Sequence, residues 1–228
     1  MALVAYSDSE GEEDEEAAVP PRVALPPLDL TPNGYQNEWL SYAFLPVHID
    51  HALRQLLQRS CPPSWTLLPV DDALHISLTR PIVLRKHEEP LFTQCVDDAL
   101  RASGVRRFSV GFAQFACFAS DTSSRVFLSL ETNAGWHEMA GITQALDRRL
   151  HTAFRAPVYY AQPRFHVSIA YRAPQAGEER TCVVREGERW ANTLNAELGA
   201  ALRAHTPIAV HTAGAQVGKH VAWLPLQY

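Results

Sequence analysis

Two short segments constrain this chain more than anything else in it: Leu74-His75-Ile76-Ser77-Leu78 and Phe165-His166-Val167-Ser168-Ile169. Each alternates apolar and polar residues with a period of two. That is the pattern of a strand with one face in a core and the other open. In both copies a histidine and a serine share the open face, and three apolar side chains share the other. The copies lie 91 residues apart, in equivalent places of a twofold echo in the order of elements.

The echo is read from hydrophobic periodicity. Residues 39–47 have the aromatic and apolar content of a strand, and 50–60 read as a helix with Asp50 as its N-cap and Leu53, Leu56 and Leu57 at helical spacing. A strand follows over 73–79, a helix over 88–102, and two strands over 107–118 and 125–131. The second half repeats this order. A helix covers 136–154, with Met139, Ile142, Leu146 and Leu150 in register, then a strand covers 164–171 and a helix 186–203. Closing strands fall at 208–216 and 220–224. The elements interleave without regular βαβ spacing, so the expected class is α+β. The expected architecture is two pseudo-symmetric lobes of antiparallel sheet with outer helices, each lobe giving one His-x-Ser strand to a central cleft.

Composition sets the domain boundaries. Apolar residues make up 46% of the 228, enough for a sizeable core. Of the 25 acidic residues, seven fall within the first 20 positions, which hold no Lys or Arg. The rest of the chain sets 20 basic residues against 18 acidic ones, a net of +2 inside an overall −5. Residues 1–33 therefore read as an acidic tail and a Pro-rich linker that cannot build a core, with 34–228 as a single bilobal domain. A near-neutral body suits an enzyme that meets a polyanion in one groove, not a protein that coats nucleic acid with a basic face. No apolar run reaches 18 residues, so no membrane span is expected. The start of the chain does not read as a secretory signal. Cys61, Cys95, Cys117 and Cys182 are widely spaced with no Cys-x-x-Cys pair, which reads as free thiols in a reducing compartment.

The His-x-Ser pair suggests a definite chemistry. Two such strands across a cleft would gather two groups that titrate near neutral pH and two neutral hydroxyl donors. RNA cleavage without a metal needs that set. One neutral histidine takes the proton of the ribose 2′-hydroxyl, and the other, protonated, gives one to the departing 5′-oxygen. The hydroxyls donate to the phosphate oxygens as charge builds there. A single His-x-Ser on a strand signals little; the repetition in equivalent settings carries the weight.

At these residues the chain resembles the 2H phosphoesterase superfamily, and within it the U6 spliceosomal RNA phosphodiesterase family. The resemblance runs through nearly the whole chain. It includes Leu3-Val4-Ala5-Tyr6-Ser7 before the acids, Val83-Leu84-Arg85, Arg125 to Glu131, and Tyr160-Ala161-Gln162-Pro163-Arg164-Phe165-His166-Val167-Ser168, its most specific stretch. Val210-His211-Thr212, Gly218-Lys219 and Leu224-Pro225-Leu226 also match. The resemblance implies the 2H fold and a nuclear 3′-to-5′ exoribonuclease that trims the uridine-rich 3′ end of U6 RNA. Such an enzyme leaves a 2′,3′-cyclic phosphate that some members open to a 3′-phosphate. It implies no cofactor, no metal and no membrane, and a monomer. His75, Ser77, His166 and Ser168 would be catalytic, with His166 as base and His75 as acid; the sequence itself does not separate those two roles. Tyr160 would stack on the terminal base. The alternatives are a 2H cyclic phosphodiesterase acting on RNA ends or small nucleotides, and a non-catalytic RNA-binding module.

Other features carry less. His48 and His51 have a metal-like spacing, but no carboxylate or cysteine completes a set. Arg106-Arg107 and Arg148-Arg149 read as solvated basic pairs, and nothing in the sequence places Lys219 in a cleft. Walker and Gly-x-Gly-x-x-Gly loops are absent from the sequence.

Overall fold

The computed structural model describes residues 38–69, 74–205 and 207–227. The acidic tail and linker expected over 1–33 lie outside the described residues.

The described residues form eleven strands and four α-helices. In chain order these are β1 (Glu38–Pro46), α1 (His51–Ser60), β2 (Thr66–Leu67), β3 (His75–Ser77), β4 (Ile82–Arg85), α2 (Glu89–Ser103), β5 (Phe108–Val110), β6 (Phe112–Ala119), β7 (Val126–Thr132), α3 (Trp136–Phe154), β8 (His166–Arg172), α4 (Arg180–Ala204), β9 (Ile208–Val210), β10 (Thr212–Val217) and β11 (His220–Pro225). The main sheet runs β11-β10-β1-β3-β8-β7-β6, with β4 also on β1 and β2 also on β8, and every pairing in it is antiparallel. β5 and β9 form a separate two-stranded sheet.

Alternation decides which face of the sheet closes. Ser41, Ala43 and Leu45 of β1, Ile76 of β3, Val167 of β8 and Leu128 and Leu130 of β7 point into one core and are buried. Helices cover that face: α4 packs on β6 and β7, while α2 packs on α3 and β10. The α3 hydroxyl of Thr143 donates to the carbonyl of Leu78 at 3.3 Å, tying that helix beneath the first motif. α1 starts where the sequence predicts, with the Asp50 carboxylate accepting from the Leu53 N–H at 2.7 Å. No helix of the described residues is long and apolar enough to cross a membrane.

Two halves of the sheet meet at β3 and β8, as two pseudo-symmetric lobes require. They are not the two halves of the chain, however. β10 and β11 return from the C-terminal end to pair with β1, and the C-terminal α4 backs β6 and β7. The predicted strands over 107–118 and 208–216 are each broken in two, because their first portions leave the main sheet to pair with one another. α4 begins six residues earlier than its apolar period suggests. Its early part closes tightly on the sheet at Gly187, where a Cβ would stand 2.6 Å from the Cys117 Sγ and 2.9 Å from the Trp65 ring. A glycine there marks close helix–strand approach, not a weak point in the helix.

The seam between the lobes rests on Ile76, which is fully buried and pairs with Val167. Ile76→Ala should lower stability by about 2–5 kcal/mol, the usual cost of emptying a close-packed site. Chemical denaturation would measure it, and a loss below about 1 kcal/mol would show that the lobes are held together elsewhere.

Candidate active site

The pairing of Ile76 with Val167 fixes the site. In antiparallel register it sets His75 across from Ser168 and Ser77 across from His166. All four side chains then leave the sheet on its open face, and all four residues are partly exposed. The structure thus brings together the four residues singled out in the two motifs.

Each imidazole is framed by aromatic rings from its own lobe. Tyr42 stacks on His75 with ring centroids 5.3 Å apart and planes 29° apart, and Phe44 meets the same ring edge-on at 5.3 Å. Both come from β1, whose Phe44 is the register partner of Ser77. On the other side Phe118 lies nearly parallel to His166, 4.0 Å away at 11°. By register Phe118 belongs level with Phe127 and Tyr171, well along the strands from His166. Its ring nonetheless stacks on the imidazole. The register shifts at Phe112/Gln114 in the β6–β7 pair and at Leu128/Ser129 in the β7–β8 pair.

The hydrogen bonds of His166 define its protonation. Its Nδ1 lies 2.7 Å from the Arg164 carbonyl. A carbonyl oxygen only accepts, so Nδ1 carries the proton, and in the neutral ring Nε2 presents a lone pair. Burial pushes the His166 pKa below its ordinary value of 6.5, and the charges of Arg164 and His75 add to that against the opposing pull of the carbonyl bond and Glu131. Electrostatic coupling between the two imidazoles means that a proton on His75 disfavours a second on His166. One acid beside one base is the state this arrangement favours.

A polar frame surrounds the pair. Arg164 grips Glu131 through two hydrogen bonds of 2.6 and 2.7 Å, and its guanidinium lies 4.6 Å from the Phe118 ring centroid. That contact, more than any other, holds Glu131 below the usual carboxylate range. Gln114 donates to the same carboxylate. Ser168 Oγ sits 3.4 Å from the buried Ser129 Oγ of β7, its register partner. Tyr159, buried and stacked on Phe165, donates its hydroxyl to the Ser77 carbonyl at 3.0 Å.

Tyr160 does not share the core with Tyr159: it is 45% exposed. Its hydroxyl donates to Asp121 at 2.6 Å, and the Arg80 guanidinium lies 5.3 Å from its ring centroid. Burial, then the acceptor Asp121, pushes its pKa up to about 12, so the ring is a neutral phenol.

Sequence reasoning did not single out Tyr42, Phe44, Arg80, Phe118, Glu131 or Ser129 as site residues. All but Arg80 lie in segments read as strands, so only the register could have found them. His48 and His51 join no metal-type cluster: among the described residues no group of three or more His, Cys, Asp or Glu could hold a metal ion.

Two His-x-Ser strands side by side at the centre of a helix-backed antiparallel sheet are the arrangement of the 2H phosphoesterase class. A structure of Usb1 from Kluyveromyces marxianus with uridine monophosphate shares the fold, with a TM-score of 0.61 and 19% identity over 83% of this chain and 99% of that one. Residues 35–213 match the HVSL family model, described as an uncharacterised conserved protein. U6 snRNA phosphodiesterase 1 of Xenopus laevis is 28% identical over 75% of this chain and 79% of its own length. The Mus musculus protein of the same name is 25% identical over 72% of this chain, which spans only 60% of that protein. The chain belongs to the HVSL family, and proteins named U6 snRNA phosphodiesterase 1 are similar to it in sequence.

His166 should titrate below 6.5, followed by NMR of the imidazole resonances. Phe118→Ala, which opens the ring to water, should move that pKa upward. Between the folded pKa and 6.5 the unfolded chain binds a proton that the folded chain refuses. Stability attributable to this group therefore falls as pH falls through that window. Titration of His166 at or above 6.5 would contradict the site as described.

Proposed function

We propose that this protein is a 3′-to-5′ RNA exonuclease that cleaves by paired histidine acid–base catalysis and trims the uridine-rich 3′ end of U6 RNA. The observation that carries the chemistry is the β3–β8 register, which sets two imidazoles and two hydroxyls on one open face. The substrate assignment rests on family membership and on the names of the relatives.

In the proposed reaction His166 Nε2 takes the 2′-hydroxyl proton of the penultimate nucleotide. The 2′-oxygen bonds to phosphorus as the bond from phosphorus to the 5′-oxygen breaks. His75 donates a proton to that leaving oxygen, and the terminal nucleoside departs. The shortened RNA keeps a 2′,3′-cyclic phosphate. Water entering where the nucleoside left could be activated by the same pair in reverse, opening the ring to a 3′-phosphate. Ser77 and Ser168 donate to the non-bridging oxygens, where negative charge grows. The Nδ1 bond to the Arg164 carbonyl supports His166 as the base, since it fixes the tautomer with Nε2 free to accept. Tyr160 offers an exposed ring for the terminal base, held by Asp121. We further propose action in the nucleus, where this substrate class is processed, by a monomer that contributes the whole site from one chain.

In excess chelator the protein should shorten an oligouridine-ended RNA from its 3′ end, read by product mass. His75→Ala and His166→Ala should each slow cleavage by about 10²- to 10⁴-fold. Ser77→Ala and Ser168→Ala should lower kcat by about 10²- to 10³-fold with little change in KM. Hydrolysis of a mononucleotide 2′,3′-cyclic phosphate without RNA shortening would replace this reading with the small-substrate one. Binding without any cleavage would leave an RNA-binding module.

A further inference from the structure

Among the described residues two large aromatic side chains are conspicuously exposed: Tyr160 at 45% and Trp223 at 56%. The first belongs to the site above. The second has no place in it, yet the sheet leads from one to the other. Trp223 of β11 pairs with Gly214 of β10, Gly214 with Phe44 of β1, and Phe44 with Ser77 of β3. Ser77 in turn stands across from His166, so Trp223 ends the rung that carries half of the catalytic set. Residues directly opposite in antiparallel strands share a face. Trp223 therefore stands on the same open face as the two imidazoles, three strands from Ser77. At the usual strand spacing that is roughly 14 Å.

The missing side chain at Gly214 shapes this rung. A Cβ there would stand 2.4 Å from the Phe44 ring, so only glycine lets that ring lie over β10. Phe44 then touches His75 at 5.3 Å on one side and Trp223 at 5.6 Å on the other, meeting the indole at 75°. The contact props the indole from one side and leaves more than half of it exposed. Burial does not account for an indole held this way on an edge strand. A stacking platform does: base–aromatic stacking needs an open π face and tolerates any base.

We propose that Trp223 binds a base of the RNA on the 5′ side of the scissile phosphate. This rests on the functional reading above, which seats the 3′-terminal base at Tyr160 and the reacting phosphate at the histidines. The retained strand then leaves over Phe44 toward β11. The two exposed aromatics hold the RNA on either side of the bond that breaks. Trp223 is thus a substrate-binding residue for longer RNAs, and one that a dinucleotide cannot reach.

The test compares a uridine dinucleotide with an oligouridine of eight or more nucleotides, using the full chain. Trp223→Ala should raise KM for the oligouridine by about 5- to 100-fold, with kcat little changed. The dinucleotide should be cleaved as by the parent. Trp223→Tyr should restore most of the loss, and Trp223→Leu, which keeps apolar packing on Phe44 without a π face, should not. Equal effects on both substrates, no effect on the oligouridine, or full rescue by leucine would each overturn the proposal. If the parent cleaves neither RNA, the functional reading fails on its own account. The Trp223 site is then decided by oligouridine affinity, and equal affinity of the parent and Trp223→Ala would overturn it.

Discussion

The antiparallel pairing of β3 with β8 is the constraint on which the rest of the site depends. Ile76 and Val167 are both fully buried, and they form the register pair that joins the lobes. A slip of one residue on either strand would turn a histidine and its serine into the core and bring apolar groups onto the open face. Desolvating a histidine and a hydroxyl without partners costs several kcal/mol, so the core enforces the geometry of the site. The same apolar residues that make the seam stable make it specific.

Around that seam, neighbouring strands supply what the motifs lack. The rings of Tyr42, Phe44 and Phe118 pack against the partly exposed imidazoles and limit their rotation. The Arg164 carbonyl selects the tautomer of His166, and burial disfavours its charged form. Arg164 and Glu131 neutralise one another beside it. The site is thus nearly charge-balanced, in keeping with a body whose composition beyond the acidic tail is close to neutral. The open face therefore offers local donors and rings, not a broad positive field.

Much of the fold was legible because long amphipathic elements carry their own signal. The helix Trp136–Phe154 matches its predicted bounds, since Met139, Ile142, Leu146 and Leu150 recur with helical period and all are buried. The Asp50 cap is visible for a similar local reason. The two-residue β2 and the four-residue β4 were not read, because so few residues show no period. The exchange of strands between lobes was equally hidden. Which distant strand β10 pairs with depends on long-range packing, and the chain's local pattern is the same for any partner.

The candidate site divides along the same line. The sequence by itself determined that His75 shares a face with Ser77 and His166 with Ser168, because alternation along a strand is set by backbone geometry. The resemblance singled out Tyr160, but its exposure beside the buried Tyr159 is a finding of the structure. Only the tertiary structure decided that the two strands lie side by side, that Phe118 of β6 stacks on His166, and that Trp223 ends the rung that begins at His166 and Ser77. Those facts depend on register between segments far apart in the chain, and register is fixed by how the whole apolar face packs, not by the residues of any one strand.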